Sequence, residues 1–375
     1  MKNNAKIFSI VLFFGLFGLL ETSQAATLYM PDTCSSFSAC VSRMKSGDTL
    51  VIRDGTYRDS ISGVKAGTTV AAEHDGKVIF TGSFDPGTAG FIMQGIIVKS
   101  SSQKDLGVGN TYRRMSFVGG PSCGNTKNSA MGSNTKIYES AFYGQGGRYL
   151  LYAYKQNGGI TIQDVIFRPD GGWGNGAGCN EYEPQAAYNM YDTEGFTITG
   201  AILIDAISTA SRESEILGGQ VVNTHQGHGN VGTISQSVIT ACSNPYGRFA
   251  SDGNGSHDVS IVDSVAKANG YKYGLTRNCG GTTTATRFET DSQIGEFDGR
   301  INRTTGSNLV LNIAFLNDPR WKREMCSDAG VSRGLCATSM NLGSYVANKL
   351  GTTVGGTTPP DTPPAAPTNL HVISN

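Results

Sequence analysis

Residues 160–167 read ITIQDVIF, and 36 residues further on, at 196–203, the chain reads FTITGAIL. Three more segments share the shape: TKIYESAFY (135–143), GTISQSVI (232–239) and DVSIVDSVA (258–266). Each holds an isoleucine, then a polar or glycine turn position two residues later, then small and apolar residues. The isoleucines are Ile137, Ile162, Ile198, Ile234 and Ile261, at intervals of 25, 36, 36 and 27 residues. Upstream, Phe117 of YRRMSFVGG precedes Phe142 by 25 residues, and Phe142 precedes Phe167 by another 25. Short strands recurring at this period, with no helical periodicity, predict a β-solenoid in which each coil buries its apolar face only by stacking on its neighbours. The longer intervals then carry loops on one face. A sandwich or ordinary barrel has no need of such an in-step return.

The composition agrees with a turn-rich β protein: 50 glycines and only 16% charged residues. Working outward to the N-terminal side, TCSSFSACVSRMKSGDTLVIRDGTYRD (33–59) offers a short amphipathic helix, then Gly-Asp, an apolar strand and the turn DGTY. This opening resembles the N-terminal cap and first coil of the right-handed parallel β-helix proteins of the pectate-lyase-like superfamily, among them polysaccharide lyases. The resemblance implies an all-β fold, a right-handed parallel β-helix with an N-terminal helical cap, over residues 26–306. After 307 the rhythm stops. Residues 307–350 mix one strand with helical character and read as a disulfide-tied C-terminal cap, and 351–375 form a Thr/Gly/Pro-rich tail. The APTNLHV of that tail looks like a first fibronectin type III strand without the rest of the module.

MKNNAKIFSIVLFFGLFGLLETSQA (1–25) has a basic start, a fourteen-residue apolar run and a small-residue cleavage site. It reads as a secretory signal peptide, too short to span a membrane, and predicts export. Without it, the 30 basic and 30 acidic residues lose Lys2, Lys6 and Glu21, leaving 28 and 29, a net charge of −1. No general field exists to gather nucleic acid, so attraction for an acidic ligand has to be local. Eight cysteines in an exported chain are expected to pair. Cys34 with Cys40, and Cys326 with Cys336, are the first choices; Cys123, Cys179, Cys242 and Cys279 are left unassigned. No CxxC or HExxH spacing supports a zinc site, no metal ligands are assigned, and calcium stays open as a cofactor without a motif.

Counting back from each isoleucine predicts the preceding strand. Twelve positions before Ile162, Ile198, Ile234 and Ile261 stand Leu150, Ala186, Val222 and Phe249, all able to fill an interior. Strand side chains alternate faces, so nine positions before, Ala153, Asn189, His225 and Asp252 should point outward, as should Lys155, Tyr191, Gly227 and Asn254 seven before. His225 of VVNTHQGHGNVG (221–232) joins that patch, whereas His228 falls level with Gln156, Asp192 and Gly255, near a turn.

Proteins that this chain resembles present such faces to extended polysaccharides. A uronate lyase must neutralise the substrate carboxylate, remove the C5 proton and help the C4 oxygen leave. Lys155, Tyr191 and His225 are the catalytic candidates. Asn189, Asp252, Arg248 and Trp173 are the substrate-binding ones, with Trp173 on the Gly-rich insertion RPDGGWGNGAGCNEYEP (168–184). A second cluster, Lys272 and Arg277 with Tyr271 and Tyr273, lies in NGYKYGLTRNCGG (269–281). The expected partner is an acidic polysaccharide and the leading activity β-elimination. The alternative is a noncatalytic glycan-binding surface protein. A glycoside hydrolase comes third, because Gly227-His228-Gly229 matches a polygalacturonase-like tripeptide but the sequence has no Asp-Asp pair to supply the two carboxyl groups of inverting hydrolysis.

Overall fold

The computed structural model describes residues 24–87, 90–120, 127–144, 149–169, 186–206, 217–222, 230–241, 248–252, 257–269, 286–288, 303–305, 309–328 and 334–350. The protein is mostly β, with a large parallel sheet and few helices, an arrangement consistent with a β-helix. Every strand pairing described is parallel except that of Lys267–Asn269 with Thr286–Phe288.

The five isoleucines stand side by side. Ile137 pairs with Ile162, Ile162 with Ile198, Ile198 with Ile234 and Ile234 with Ile261. The same row runs back through Tyr112, Met93, Val70 and Leu50 to Leu28. From Leu50 to Ile234 every side chain in it is fully buried. A second row follows each of these strands: Phe80, Val98, Phe117, Phe142, Phe167 and Leu203. The rings of Phe117, Phe142 and Phe167 stack at 4.8 and 5.4 Å between centroids. Burial of each such side chain is worth roughly 1.5–3 kcal/mol, so the stacked rows are a large contribution to folding.

Between the two rows the chain turns a corner through one left-handed residue. Gly95, Arg114, Glu139, Asp164, Gly200, Gln236 and Asp263 have φ of +77°, +51°, +44°, +54°, +68°, +50° and +46°. These are the turn positions that the sequence places two residues after each row member. A matching column precedes the row: Gly67, Gly90, Gly109, Asn134, Gly159 and Gly195, with φ between +60° and +85°. Non-glycine residues pay roughly 1–2 kcal/mol in this region. Side-chain bonds offset that at several corners. Arg114 pairs with Asp75 and Asp318, and Gln236 accepts the amide N–H of Val310. At Gly200 a Cβ would stand 2.5 Å from the Asp164 carboxylate, which would have to give way, so glycine eases this corner.

The expected N-terminal helix and apolar strand form, whereas Gly55–Tyr57 of DGTY, expected as a turn, is a strand. Helix Phe37–Arg43 is capped by Ser36, whose hydroxyl accepts the amide N–H of Ala39, and Phe37 packs edge-on against Phe80 at 5.5 Å. The strands Thr49–Ile52 and Gly55–Tyr57 follow. Asp48 accepts the amide N–H groups of Ala26 and Lys45, which hold its carboxyl below the ordinary range. Both assigned disulfides are present, Cys34–Cys40 and Cys326–Cys336.

The described residues of 309–328 and 334–350 are largely helical: Ile313–Asn317, Pro319–Asp328, a 3-10 turn at Gly334–Ala337 and Leu342–Leu350. They lie along the flank of the stack. Phe315, Trp321, Met325, Leu335 and Val346 cover the outer side of the phenylalanine strands at Ile97, Val118, Ala141, Ile166 and Ile202. Polar anchors fix the contact. Asp205, buried with φ +52°, accepts from Arg168 Nε at 3.3 Å, the Leu335 N–H at 2.9 Å and the Tyr345 hydroxyl. Desolvation, with the Asp205 charge beside it, holds the Tyr345 hydroxyl well above its ordinary range. Arg320 bonds Glu324 at 2.6 Å and the Arg114 carbonyl at 2.7 Å.

Replacing Ile162 by alanine is expected to lower the unfolding free energy by about 2–5 kcal/mol, whereas Thr161→Ala, on the solvent side of the same strand, stays within about 0.5 kcal/mol. Urea denaturation of the two variants measures both. Equal losses would contradict an inward isoleucine row.

Candidate functional site

The second sheet is built from Lys104–Asp105, Lys127–Met131, Tyr149–Tyr154, Ala186–Tyr191, Leu217–Val222 and Arg248–Asp252, all parallel. Alternation along YLLYAY sends Leu151 and Ala153 into the core and leaves Tyr152 and Tyr154 partly exposed. One rung across the sheet carries Asp105, Ala130, Tyr152, Asn189, Gln220 and Ala250. Another carries Tyr154, Tyr191, Val222 and Asp252.

Three tyrosines gather on these rungs. The rings of Tyr152 and Tyr154 are nearly parallel at 6.1 Å, Tyr191 meets Tyr154 at 5.0 Å and 61°, and Tyr152 to Tyr191 is 6.3 Å. Tyr154 is 39% exposed and the other two are half-buried, so ring surface is presented to solvent. Lys155 sits at the strand end with φ +49°, exposed, its ammonium 5.2 Å from the Tyr154 ring centre. Its backbone N–H donates to the Tyr191 carbonyl at 2.9 Å. Gln156 then pins the turn: its Oε1 accepts from the Ser133 N–H at 2.7 Å and hydroxyl at 2.9 Å, and its Nε2 donates to the Tyr154 carbonyl at 2.6 Å.

The register across this sheet differs from the one counted back from the isoleucines. Asn189 stands level with Tyr152 instead of Ala153, and Tyr191 level with Tyr154 instead of Lys155. Asp252 joins the Tyr154–Tyr191 rung through Val222, not the Asn189 rung. The reason is the turn between sheets. From this rung to the isoleucine row the chain takes eight residues after Tyr154, seven after Tyr191, twelve after Val222 and nine after Asp252. A fixed count therefore slips. The structure brings Lys155 and Tyr191 together, through the tyrosine group, while Asn189 is fully buried under the same face. Arg248 and Asp252 are placed by backbone register only. His225, Trp173, the 269–281 cluster beyond Asn269, and Cys123, Cys179, Cys242 and Cys279 lie outside the described residues. Tyr152 and Tyr154 are the site residues that sequence reasoning missed, although the alternation of YLLYAY carries them.

Beneath the face, burial dominates the titratable groups. Desolvation pushes the Tyr188 hydroxyl well above its usual range. Lys104 is fully buried, with its Nζ donating to the carbonyls of Ser100 at 3.2 Å and Gly119 at 2.5 Å, and desolvation brings its pKa down to about 7. Among the described residues, one group of three side chains is spaced to hold a metal ion: Asp54, Glu73 and His74, all exposed. Within it, His74 Nδ1 lies 3.1 Å from Asp54, while Glu73 is already paired with Arg53.

No protein-family model and no curated protein matches the chain. Among solved structures it is similar to a pectate lyase, Pel9A, at 13% identity over 71% of this chain and 82% of that one, with a TM-score of 0.37. It is also similar to the A-module of the Azotobacter vinelandii mannuronan C-5 epimerase AlgE6, at 13% identity over 61% of this chain and 68% of that one, with a TM-score of 0.24. The described residues themselves define a mostly β protein with a large parallel sheet, two disulfides and a partly exposed tyrosine group on its second sheet. No described helix is long and apolar enough to cross a membrane.

Lys104 gives this region a pH signature. Its folded pKa of about 7 lies below the ordinary 10.5, so between those values the unfolded chain holds a proton that the folded one has lost. Stability should therefore rise as pH climbs from 7 toward 10, by at most about 1.4 kcal/mol per unit. Denaturant melts from pH 6 to 10 are expected to show wild type gaining on Lys104→Met over that window. Parallel pH profiles for the two proteins would place the ammonium in water.

Proposed function

We propose that this protein is an exported right-handed parallel β-helix, capped at its ends, that binds an acidic polysaccharide along its second sheet and cleaves it by β-elimination. The crossover rule supports the hand, since parallel strands joined through a crossover connect right-handedly in nearly all folds. Two disulfides and the leader-like residues 1–25 support export.

One observation carries the functional reading: Tyr152, Tyr154 and Tyr191 offer ring surface beside the Lys155 ammonium, toward the ends of two inner strands of the second sheet. Aromatic rings bury the apolar faces of sugars, and a cation next to them favours a uronate over a neutral sugar. In the elimination, a base takes the C5 proton and the electron pair forms the C4–C5 double bond. The C4–O bond breaks as its oxygen receives a proton. We assign the acid and base roles to Lys155 and Tyr191 between them. His225 and Asp252 are proposed to complete the site from the next coils, with Asn189 holding the face from below and Arg248 and Trp173 extending it.

A second reading, a noncatalytic glycan-binding scaffold, is favoured by the same rings, because stacking needs no acid or base. The two separate in one assay. Incubation with polygalacturonate, alginate and glycosaminoglycans, with and without calcium, is followed by absorbance of the unsaturated product. Turnover that falls at least about a hundredfold in Lys155→Ala or Tyr191→Phe is expected of general acid–base residues. Polymer binding without any product would establish the scaffold reading instead.

A further inference from the structure

A second outward face is built on the isoleucine strands, and nothing in the proposed site uses it. Flanking the buried row are two solvent-side columns. One runs Ile92, Thr111, Lys136, Thr161, Thr197 and Thr233; the other Gln94, Arg113, Tyr138, Gln163, Thr199 and Ser235. All are exposed or half-buried. Most are hydroxyls and amides, but two coils differ.

Arg113 lies with its guanidinium 5.2 Å from the ring centre of Tyr138, its neighbour on the next coil. Lys136 stands two residues before that tyrosine and is exposed. Neither cation makes an ion pair among the described residues, in contrast to Arg114, which is engaged by Asp75, Glu139 and Asp318. The Arg113 Nε is buried without an acceptor. A buried donor without a partner is unfavourable, and a stacked guanidinium is held flat for bidentate contact with a carboxylate.

We infer that Arg113, Lys136 and Tyr138 form a second, noncatalytic docking surface for an acidic polysaccharide chain. This rests on the proposed polysaccharide reading and adds a separate attachment face to it. Charge complementarity names the occupant: two uncompensated cations one coil apart, about 4.8 Å between rungs, amid hydroxyl and amide groups suited to sugar hydroxyls. A polymer held there and at the tyrosine face is bound at two points, so attachment on one face raises the effective concentration at the other.

Affinity electrophoresis of the full protein through gels containing polygalacturonate, alginate or dextran tests this. Arg113→Gln/Lys136→Gln is expected to weaken binding to the acidic polymers about five- to tenfold, the scale of two exposed charge contacts, and to flatten its salt dependence. Turnover of short oligouronates by that variant stays at the wild-type level. Tyr154→Ala/Tyr191→Ala retains a residual, salt-sensitive affinity. Lys136→Gln alone, at an exposed position, guards against a folding defect and should show part of the loss. Unchanged acidic-polymer binding in the Arg113/Lys136 variant overturns the second surface while leaving the tyrosine site standing. Equal retention by dextran overturns it too. Full affinity in the tyrosine variant, with loss only in the Arg113/Lys136 variant, sinks the tyrosine-site reading and leaves this one.

Discussion

A single backbone conformation, adopted after each isoleucine strand and, as far as Ile198, before it as well, holds the coils in phase. At the corner after the strand, residues from Gly95 to Asp263 occupy the left-handed region, and a matching column of Gly67 to Gly195 occupies it before the strand. From Met93 to Ile198, where both ends are bent at fixed positions, the segment between them keeps one length. Met93, Tyr112, Ile137, Ile162 and Ile198 are then forced into one line. A slip of one residue would turn the apolar side outward on a whole coil, so the corners and the burial enforce the same register. Non-glycine residues at the corners are strained, and the contacts of Arg114, Asp164 and Gln236 with the flanking segment help offset that strain.

This division explains what the sequence made legible. The isoleucine row and its turn positions were readable because corner and core both constrain them. The turn between the tyrosine sheet and the isoleucine strand is not held to one length: it takes seven to twelve residues. Counting across it moved Asn189 and Tyr191 by one place and set Lys155 opposite the wrong partner. A site that depends on such a turn is assembled by register, and register across a variable turn has no local signature. The tyrosines of YLLYAY did have one, in their alternation.

The covered flank had a signature as well. Strands that are apolar on one side expose the other to water, but Ile97, Val118, Ala141, Ile166 and Ile202 alternate with residues that are also buried. Strands apolar on both sides require a cover. The helices of 313–350 supply it, and the buried Asp205 ties them down through the residues beside the Cys326–Cys336 bridge, accepting from Leu335 and from Arg168, whose Nη1 also reaches the Met325 carbonyl at 3.5 Å. Isolated, an ionised aspartate there would be costly; with three donors it becomes a position-specific latch.

On the proposed polysaccharide reading, covering that flank limits where a polymer can lie. Among the described strands, one outward side is covered by helices, while the tyrosine side and the threonine-rich side are not. Lys155 and Arg113 stand on the two remaining faces, each next to a tyrosine ring, at 5.2 Å in both cases. A cation held against an aromatic ring keeps its charge while losing freedom of its side chain, which lowers the entropy lost when an anion arrives. The stack fixes the positions of these pairs through the same ladders that hold its core, so on the proposed reading recognition is set by the strands.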